Sequence, residues 1–225
     1  MKLIALETAT EACSAALYND GETVERYTVQ PRRHADLILE MVNDLLSEAG
    51  LKLRDLDALA FGRGPGAFTG VRIAVGVVQG LAFGADLPVA PISTLQGLAQ
   101  GALHEEGHTR VLAAIDARMG EVYWGAFTQG SAGLLEPTGG EGVYKPEAVP
   151  LPDENGWFGV GTGWGSYAEA LARHLGRDIP NDGGRLPRAR DIAALAVPVI
   201  ERGGGVPAEK ALPVYLRDQV VRKPA

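Results

Sequence analysis

Cysteine is almost absent from the chain, because Cys13 is the one cysteine among 225 residues. A single cysteine cannot form an internal disulfide or a cysteine metal cluster. Long apolar runs are also lacking: Gly76, Gln79 and Gly80 interrupt the most apolar stretch, which falls short of the roughly 18 apolar residues of a membrane span. The amino terminus reaches Glu7 after four apolar residues, too few for a signal peptide. These absences predict a cytoplasmic protein with no membrane association.

Basic residues are fewer than acidic residues in this chain. The chain has 21 Lys and Arg against 28 Asp and Glu, which gives a net charge of −7 and a pI near 5.2. This balance argues against a broad basic face that binds nucleic acid, although a local basic patch or a basic partner stays open. Apolar residues make up 46% of the chain, enough to bury one large core or two modest ones.

The most informative stretch combines a predicted strand at 57–62, a glycine-rich loop and a predicted apolar helix at 70–84. Thr69 is the natural N-cap of this helix, because its hydroxyl can accept a hydrogen bond from a first-turn amide. Amides that converge at such a helix start can hold a phosphate, so Gly64, Gly66 and Thr69 are candidates for nucleotide binding. The spacing fits a tight turn that binds nothing equally well, and no Gly-Lys-Ser/Thr follows.

The order of predicted elements repeats along the chain. A strand ending in Glu7 and a second strand open the first segment, and the same pattern restarts at Arg110 with a strand ending in Asp116. Each segment also contains a glycine-rich loop before a helix. This degenerate duplication predicts an α/β fold of two mixed-sheet ββαβα units, an amino-terminal lobe at 1–100 and a carboxy-terminal lobe at 101–225, facing each other across a cleft.

Three further local predictions complete the outline. Ser93 or Thr94 caps a helix that follows the fifth strand. The segment 130–155 is rich in Gly, Pro and Glu and predicts a long irregular connection. A helix is expected at 187–201, with an interruption near Pro198.

Two strand-borne acids, each with a glycine loop, are the layout of the actin-like, sugar-kinase and Hsp70-type ATPase architecture. In active members, hydroxyls beside such an acid hold phosphates, which makes Thr8 and Thr10 candidate phosphate donors. Capping and hairpin hydrogen bonds are an equally good use of these hydroxyls. An ATP-dependent small-molecule kinase of the sugar-kinase type is therefore one functional hypothesis.

The helices predicted at 36–50 and 70–84 have more apolar surface than one buried stripe needs. Small residues on the second helix would allow another helix to approach closely. Either the second lobe or a partner protein could cover this excess. The positions in question are Leu37, Met41, Ile73, Val77 and Gly80.

Four motifs together resemble one known family. They are Leu6-Glu7-Thr8-Ala9-Thr10, Arg33-His34-Ala35-Asp36, the segment from Gly64 to Ile73, and Pro213-Val214-Tyr215-Leu216-Arg217. This combination is similar to the TsaB (YeaZ-type) family of bacterial tRNA threonylcarbamoyladenosine (t6A) biosynthesis proteins. The resemblance covers essentially the whole chain and is strongest over residues 1–100.

The resemblance implies a non-catalytic paralogue of TsaD, the subunit that transfers threonylcarbamoyl to N6 of adenosine 37 in tRNAs reading codons that begin with A. It implies a heterodimer with a TsaD-type transferase through first-lobe helices, joined by a TsaE-type ATPase. A homodimer is expected when the chain is alone, and tRNA is reached only through the complex. No cofactor is required by this chain, and ADP or ATP is a candidate ligand at the complex interface.

One departure from the TsaD pattern bears on activity. TsaD-type relatives have a His-x-x-x-His metal-binding pair at the start of the helix after the strand that follows the glycine motif. The matching positions here are Thr94 and Leu98, which cannot hold a transition metal together. The resemblance therefore implies that this chain alone is not a transferase.

A competing motif is His104-Glu105-Glu106-Gly107-His108, which matches the H-E-x-x-H pattern of zinc peptidases. Gly107 weakens the match, because a glycine there is expected to end the helix and leave His108 off the shared face. No obvious third ligand follows. A zinc peptidase that uses His104 and His108 is the weakest of the three hypotheses.

Overall fold

The computed structural model of the chain describes residues 1–150, 152 and 155–217. The first of its two mixed sheets has the strand order β3-β2-β1-β4-β5. These strands are β1 (Lys2–Glu7), β2 (Ala12–Asn19), β3 (Glu22–Val29), β4 (Ala58–Gly62) and β5 (Val89–Ile92). Strand β1 is buried almost along its whole length and pairs antiparallel with β2 and parallel with β4.

The second sheet repeats this arrangement. Its strands are β6 (Arg110–Arg118), β7 (Glu121–Gln129), β8 (Leu135–Pro137), β9 (Gly142–Tyr144), β10 (Phe158–Val160) and β11 (Asn181–Asp182). Strand β6 pairs antiparallel with β7 and parallel with β10, as β1 does with β2 and β4. The duplication predicted from the sequence is thus present in the strand pairing.

Five helices cover the sheets in the described part of the chain. They are α1 (His34–Glu48), α2 (Phe68–Ala85), α3 (Thr94–Glu106), α4 (Thr162–Leu175) and α5 (Ala189–Glu201). Helices α1 and α2 pack on one face of the first sheet and α5 packs on the other. In the second sheet, α3 and α4 cover opposite faces.

The predicted division of the chain at residue 100 stays a prediction, and packing runs across it. Helix α5 belongs by sequence to 101–225, yet Ile192 is buried in one cluster with Leu3 and Ala5 of β1. Helix α3 packs on α5, and a Cβ at Gly97 would lie 2.5 Å from the Ile192 side chain. The two lobes are therefore joined through the α3–α5 contact.

The predicted cap of α2 is wrong. The helix begins at Phe68 after Ala67, and no side chain caps it, so Thr69 is an exposed residue inside the first turn. The reason is a long-range bond: the Ala67 amide donates to the Ala9 carbonyl at 2.7 Å, which turns the chain into the helix earlier than the hydroxyl pattern indicates. The cap of α3 is confirmed, because the Ser93 hydroxyl accepts a bond from the Gln96 amide at 3.2 Å.

Two other local predictions are corrected. The segment 130–155 contains β8 and β9, both paired with β7, rather than only irregular chain. In chain order these strands occupy the place that α1 has in the first unit. Helix α5 continues through Pro198 to Glu201, so the expected interruption is absent from this helix. A proline removes only its own backbone donor, and the helix continues past it for three residues.

Replacing Ser93 and Thr69 by alanine tests the helix caps. Ser93→Ala should lower the free energy of unfolding by about 1 kcal/mol or more, because an N-terminal amide of α3 and the Glu141 carboxylate both lose their bond to the Ser93 hydroxyl. Thr69→Ala should change it by less than about 0.5 kcal/mol, as expected at a surface position. Urea unfolding of both variants and the parent measures the difference. If Thr69→Ala lowered the free energy of unfolding by about 1 kcal/mol, Thr69 would be the cap of α2 after all.

Candidate functional site

A cavity of about 400 Å³ lies between the two lobes. The hairpin turn after β1 contributes Thr10 and Glu11, and the end of β6 contributes Asp116 and Arg118. The glycine loop contributes its middle part, including Gly66, and residues 214–217 close one side. The duplicated hairpins therefore meet at this cavity, as the sequence pattern predicts.

The first strand-borne acid, Glu7, does not line the cavity. It is fully buried, and its two oxygens accept bonds from the Ala9 amide at 2.6 Å and the Thr94 hydroxyl at 3.0 Å. A Cβ at Gly62 would lie 1.8 Å from the carboxylate, so only glycine fits on β4 beside it. Burial raises the pKa of Glu7 to about 7, and the hydrogen bonds from Ala9 and Thr94 oppose that rise. From the end of β1, Glu7 thus contacts β4 at Gly62 and bonds to α3 at Thr94.

The second strand-borne acid, Asp116, has a different environment. It lines the cavity, and its carboxylate lies 3.1 Å from the Arg118 guanidinium and also accepts a bond from the Arg118 amide. The Asp116 amide donates to the Thr162 hydroxyl at 3.0 Å. Arg118 reaches across the cavity to Glu11, at 3.5 Å. The charge of this acid is therefore matched by a cation of its own hairpin.

The two threonines predicted as phosphate donors are separated by the fold. The Thr8 hydroxyl is buried and donates to the Gly70 carbonyl at 2.7 Å, so it fastens the first hairpin to α2. Thr10 lines the cavity, is 8% exposed, and accepts a bond from the Ala12 amide at 3.4 Å. Only Thr10 of this pair is placed to contact a ligand.

The glycine loop packs against the first hairpin instead of forming an open cradle. A Cβ at Gly66 would lie 2.4 Å from the Ala9 carbonyl, and one at Gly70 would lie 2.0 Å from the Thr8 carbonyl. The Gly64 amide donates to the Thr94 hydroxyl at 3.2 Å. The glycines are thus required for close backbone approach. Of the three loop candidates, Gly66 lines the cavity, whereas Gly64 and Thr69 do not.

The H-E-x-x-H motif does not form a shared ligand face. Helix α3 ends at Glu106, with Gly107 left-handed at φ 75°, which confirms that this glycine ends the helix. His108 stacks on Phe158 with ring centroids 3.7 Å apart, and His104 lies 3.3 Å from Asp191. Among the residues that the structure describes, no group of three or more His, Cys, Asp and Glu could hold a metal ion.

A second candidate site lies on the outside of the first lobe. Leu37 and Met41 of α1 and Ile73 and Val77 of α2 are partly buried at the edge of the core, and Gly80 is exposed. Elsewhere on the same two helices, Phe83 of α2 is 86% exposed and Leu39 of α1 is 45% exposed. We call these seven residues, together with Gly76 and Gly84, the α1/α2 surface. A Cβ at Gly76, Gly80 or Gly84 would meet no atom within 4 Å.

Helix α2 is also unusual in composition. It is the one helix in the described residues that is long and apolar enough to cross a membrane by length and composition, and 33% of it is buried. Core helices of soluble proteins that pass this test are mostly buried. Two thirds of α2 is thus not fully buried in the single chain.

Known proteins match the chain over nearly its full length. A family model described as TsaD, tRNA N6-adenosine threonylcarbamoyltransferase, matches residues 25–156. The TsaB protein of Escherichia coli K12 is 46% identical over 99% of this chain and 97% of its own, and that of Haemophilus influenzae is 41% identical over 99% and 96%. A solved structure, YeaZ from Pseudomonas aeruginosa, has a TM-score of 0.91 and 53% identity, and the match covers 96% of this chain and 99% of that one. The chain belongs to the TsaB (YeaZ-type) family.

Membership in the TsaB family places the chain in tRNA threonylcarbamoyladenosine biosynthesis. The expected actin-like, sugar-kinase type of fold is confirmed by the two mixed sheets and these matches. Arg118, Tyr215 and Arg217 also line the cavity, and none of them is predicted from the sequence as a site residue, although Tyr215 and Arg217 lie in the motif at 213–217. A cation two residues after the strand-borne Asp116 was the one signal that could have indicated Arg118.

At the positions where TsaD-type relatives are expected to bind metal, this TsaB-family chain uses its side chains for packing. The Thr94 hydroxyl is committed to Glu7, and Leu98 is fully buried in the core of the second lobe. These two side chains therefore stabilise the junction between α3 and the sheets.

The pH dependence of stability tests the buried carboxylate. Because the folded pKa of Glu7 is about 7 and its ordinary value is 4.5, its contribution to stability is full below pH 4.5 and is lost as the pH rises through 7. The free energy of unfolding of the parent should therefore fall relative to that of Glu7→Gln by about 3 kcal/mol between pH 4.5 and 8. Urea unfolding across this range measures the difference.

The comparison is internally controlled. Asp191, whose pKa burial raises to about 6, titrates in both proteins and cancels from the difference. A difference between parent and Glu7→Gln that stays constant with pH would show that Glu7 remains charged in the folded chain.

Proposed function

We propose that this chain is a non-catalytic subunit that binds and stabilises a TsaD-type transferase in the formation of t6A at position 37 of tRNAs reading codons that begin with A. The observation that carries the proposal is the exposed α1/α2 surface. Phe83 and the glycine stripe are exposed on α2, Leu39 is exposed on α1, and the inward faces of both helices pack in the first core. Exposed apolar surface of this kind marks protein interaction sites.

The shape of the surface supports a helical partner. Gly76, Gly80 and Gly84 recur at intervals of four, so they form a shallow groove along α2. Small residues at such positions let a second helix approach closely, and the flanking apolar residues then pack against it. A paralogue with the same two helices would complete a four-helix contact. A second copy of this chain would use the same surface when the partner is absent.

The absence of catalysis is supported by the use of the candidate side chains. Thr94 and Leu98 stand where metal ligands are expected in TsaD-type relatives, and both are packed. Glu7 points into the α3 junction rather than into the cavity. The chain then contributes binding surface to the complex, and the transferase partner contributes the chemistry.

The remaining parts of the complex follow from the same proposal. A TsaE-type ATPase joins the pair, tRNA is bound through the complex, and the assembly works in the cytoplasm. This chain needs no cofactor of its own. If ADP or ATP binds at the interface, Thr10 and Gly66 are the predicted residues that the cavity exposes to it.

A small-molecule kinase is the alternative that the cavity between the lobes favours. It would need an acid free to orient metal or water, whereas Arg118 holds Asp116 and Glu7 is buried elsewhere. Calorimetry with ATP and magnesium separates the two proposals. Nucleotide binding by the isolated chain together with sugar phosphorylation would favour the kinase.

A charge on the α1/α2 surface should weaken partner binding without unfolding the chain. Phe83→Glu should reduce affinity for a TsaD-type protein about tenfold or more, because it places a carboxylate in an apolar contact. Val29→Glu is the matched control, since Val29 is 50% exposed on β3, outside this surface. Calorimetric titration measures affinity, and thermal unfolding confirms that both variants fold.

Reconstitution of tRNA modification supplies the functional readout. Omitting this chain should abolish or strongly reduce the t6A yield, and Phe83→Glu should reduce it more than Val29→Glu does. An undiminished yield without the chain would refute the proposed function. Equal affinities of Phe83→Glu and the parent would move the partner site elsewhere on the molecule.

A further inference from the structure

The last described segment of the chain runs along the first lobe. Val206 and Val89 exchange backbone hydrogen bonds of 2.8 Å beside β5, and Ala211 is fully buried in the core under α1 and α2. The Gln79 amide of α2 donates to the Ala211 carbonyl at 3.1 Å. We call residues 211–217 the strap. Its start is thus fixed to the first lobe by both backbone and core contacts.

The middle of the strap is fastened to the glycine loop and to the first turns of α2. The Val214 amide donates to the Arg63 carbonyl at 2.8 Å. The Tyr215 hydroxyl accepts a bond from the Arg72 guanidinium at 2.9 Å. Arg72 also stacks over Phe68 at 3.3 Å, and the Phe68 and Tyr215 rings lie 5.8 Å apart. The strap therefore forms one wall of the cavity between the lobes.

The end of the strap crosses to the second lobe. The Arg217 guanidinium forms an ion pair with Glu121 and lies 3.6 Å from the Met119 sulfur, both in the hairpin that joins β6 and β7. The side chains of Arg217 and Glu121 are 17% and 32% exposed, so solvent only partly screens the pair. On the same hairpin, Arg118 reaches Glu11 of the first lobe.

These contacts are separate from the junction that α3 and α5 form between the lobes. The lobes are joined by the packing of α3 on α5, where Gly97 allows close contact with Ile192. At the cavity mouth, by contrast, the lobes meet through two ion pairs of opposite polarity, Glu11 with Arg118 and Arg217 with Glu121. Partly exposed ion pairs are individually weak, so they bias an equilibrium and do not lock it.

We propose that the strap is a latch: Arg217, held in place by Val214 and Tyr215, pairs with Glu121 and keeps the lobes closed over the cavity. Releasing this contact shifts the equilibrium toward a state in which the β6–β7 hairpin lies farther from the glycine loop, with the α3–α5 packing as the hinge and the pair of Glu11 with Arg118 as the remaining ion pair at the mouth. The strap thereby sets the fraction of molecules in which the cavity is open. The proposal concerns a motion within this chain and holds whether or not the proposed partner function does.

The test measures the distance across the cavity mouth in the full chain. Spin labels at Thr69→Cys and Ser166→Cys flank the mouth on opposite lobes; both positions are exposed, and the native Cys13 is fully buried. Arg217→Ala should increase the population with long label separation about threefold, the factor expected for loss of one partly exposed ion pair. The charge-swapped double variant, Arg217→Glu with Glu121→Arg, should return the distribution toward that of the parent.

Two further variants keep the test decisive. Tyr215→Phe removes the hydroxyl that accepts from Arg72 and should open the mouth in the same direction by a smaller factor. Arg33→Ala removes the exposed ion pair with Asp36 on α1 and should leave the distances unchanged. An Arg217→Ala distribution identical to that of the parent would overturn the latch, and so would a charge swap that restores nothing. Thermal unfolding of each variant verifies that the lobes themselves remain folded.

Discussion

The buried carboxylate of Glu7 is the contact on which the centre of the molecule depends. One oxygen holds the turn after β1 through Ala9, and the other holds the start of α3 through Thr94. Gly62 must be glycine because the carboxylate occupies the space of its side chain. No cation is among the causes that set the pKa of Glu7, so burial favours its neutral form. The acid that would face a ligand in an ATPase of this architecture instead fixes three elements to one another.

The same close packing determines the use of the glycine loop. Gly66 and Gly70 lie against the carbonyls of the first hairpin, and the amides of Gly64 and Ala67 are already bonded within the chain. A phosphate bound by these two amides would have to displace their partners. The loop therefore fixes the direction in which α2 leaves it, and α2 then presents its glycine stripe to the outside. The first lobe therefore exposes apolar surface on α2, whereas its glycine loop is packed against the first hairpin.

Features encoded by neighbouring residues were predictable from the sequence. The strand that ends at Glu7, the Ser93 cap, the end of α3 at Gly107 and the duplication all follow from local patterns. Features that depend on distant residues were not. Thr69 has the chemistry of a cap, but a bond from Ala67 to the first hairpin decides where α2 begins. In the same way β8 and β9 exist because β7 offers them an edge, and the pairing of Arg217 with Glu121 joins residues nearly a hundred positions apart.

The second lobe is needed for the packing of the sheet that supports the α1/α2 surface. The face of the first sheet opposite α1 and α2 is covered by α5, which follows the whole second lobe in the chain. The α5 amino terminus is itself fastened to β2, because the Ala189 amide donates to the Ser14 hydroxyl at 2.9 Å. A chain ending near residue 100 would leave Leu3 and Ala5 uncovered, and the sheet that supports α1 and α2 would lose half of its packing. The second lobe thus supports the α1/α2 surface indirectly, because it holds α5 against the opposite face of the sheet.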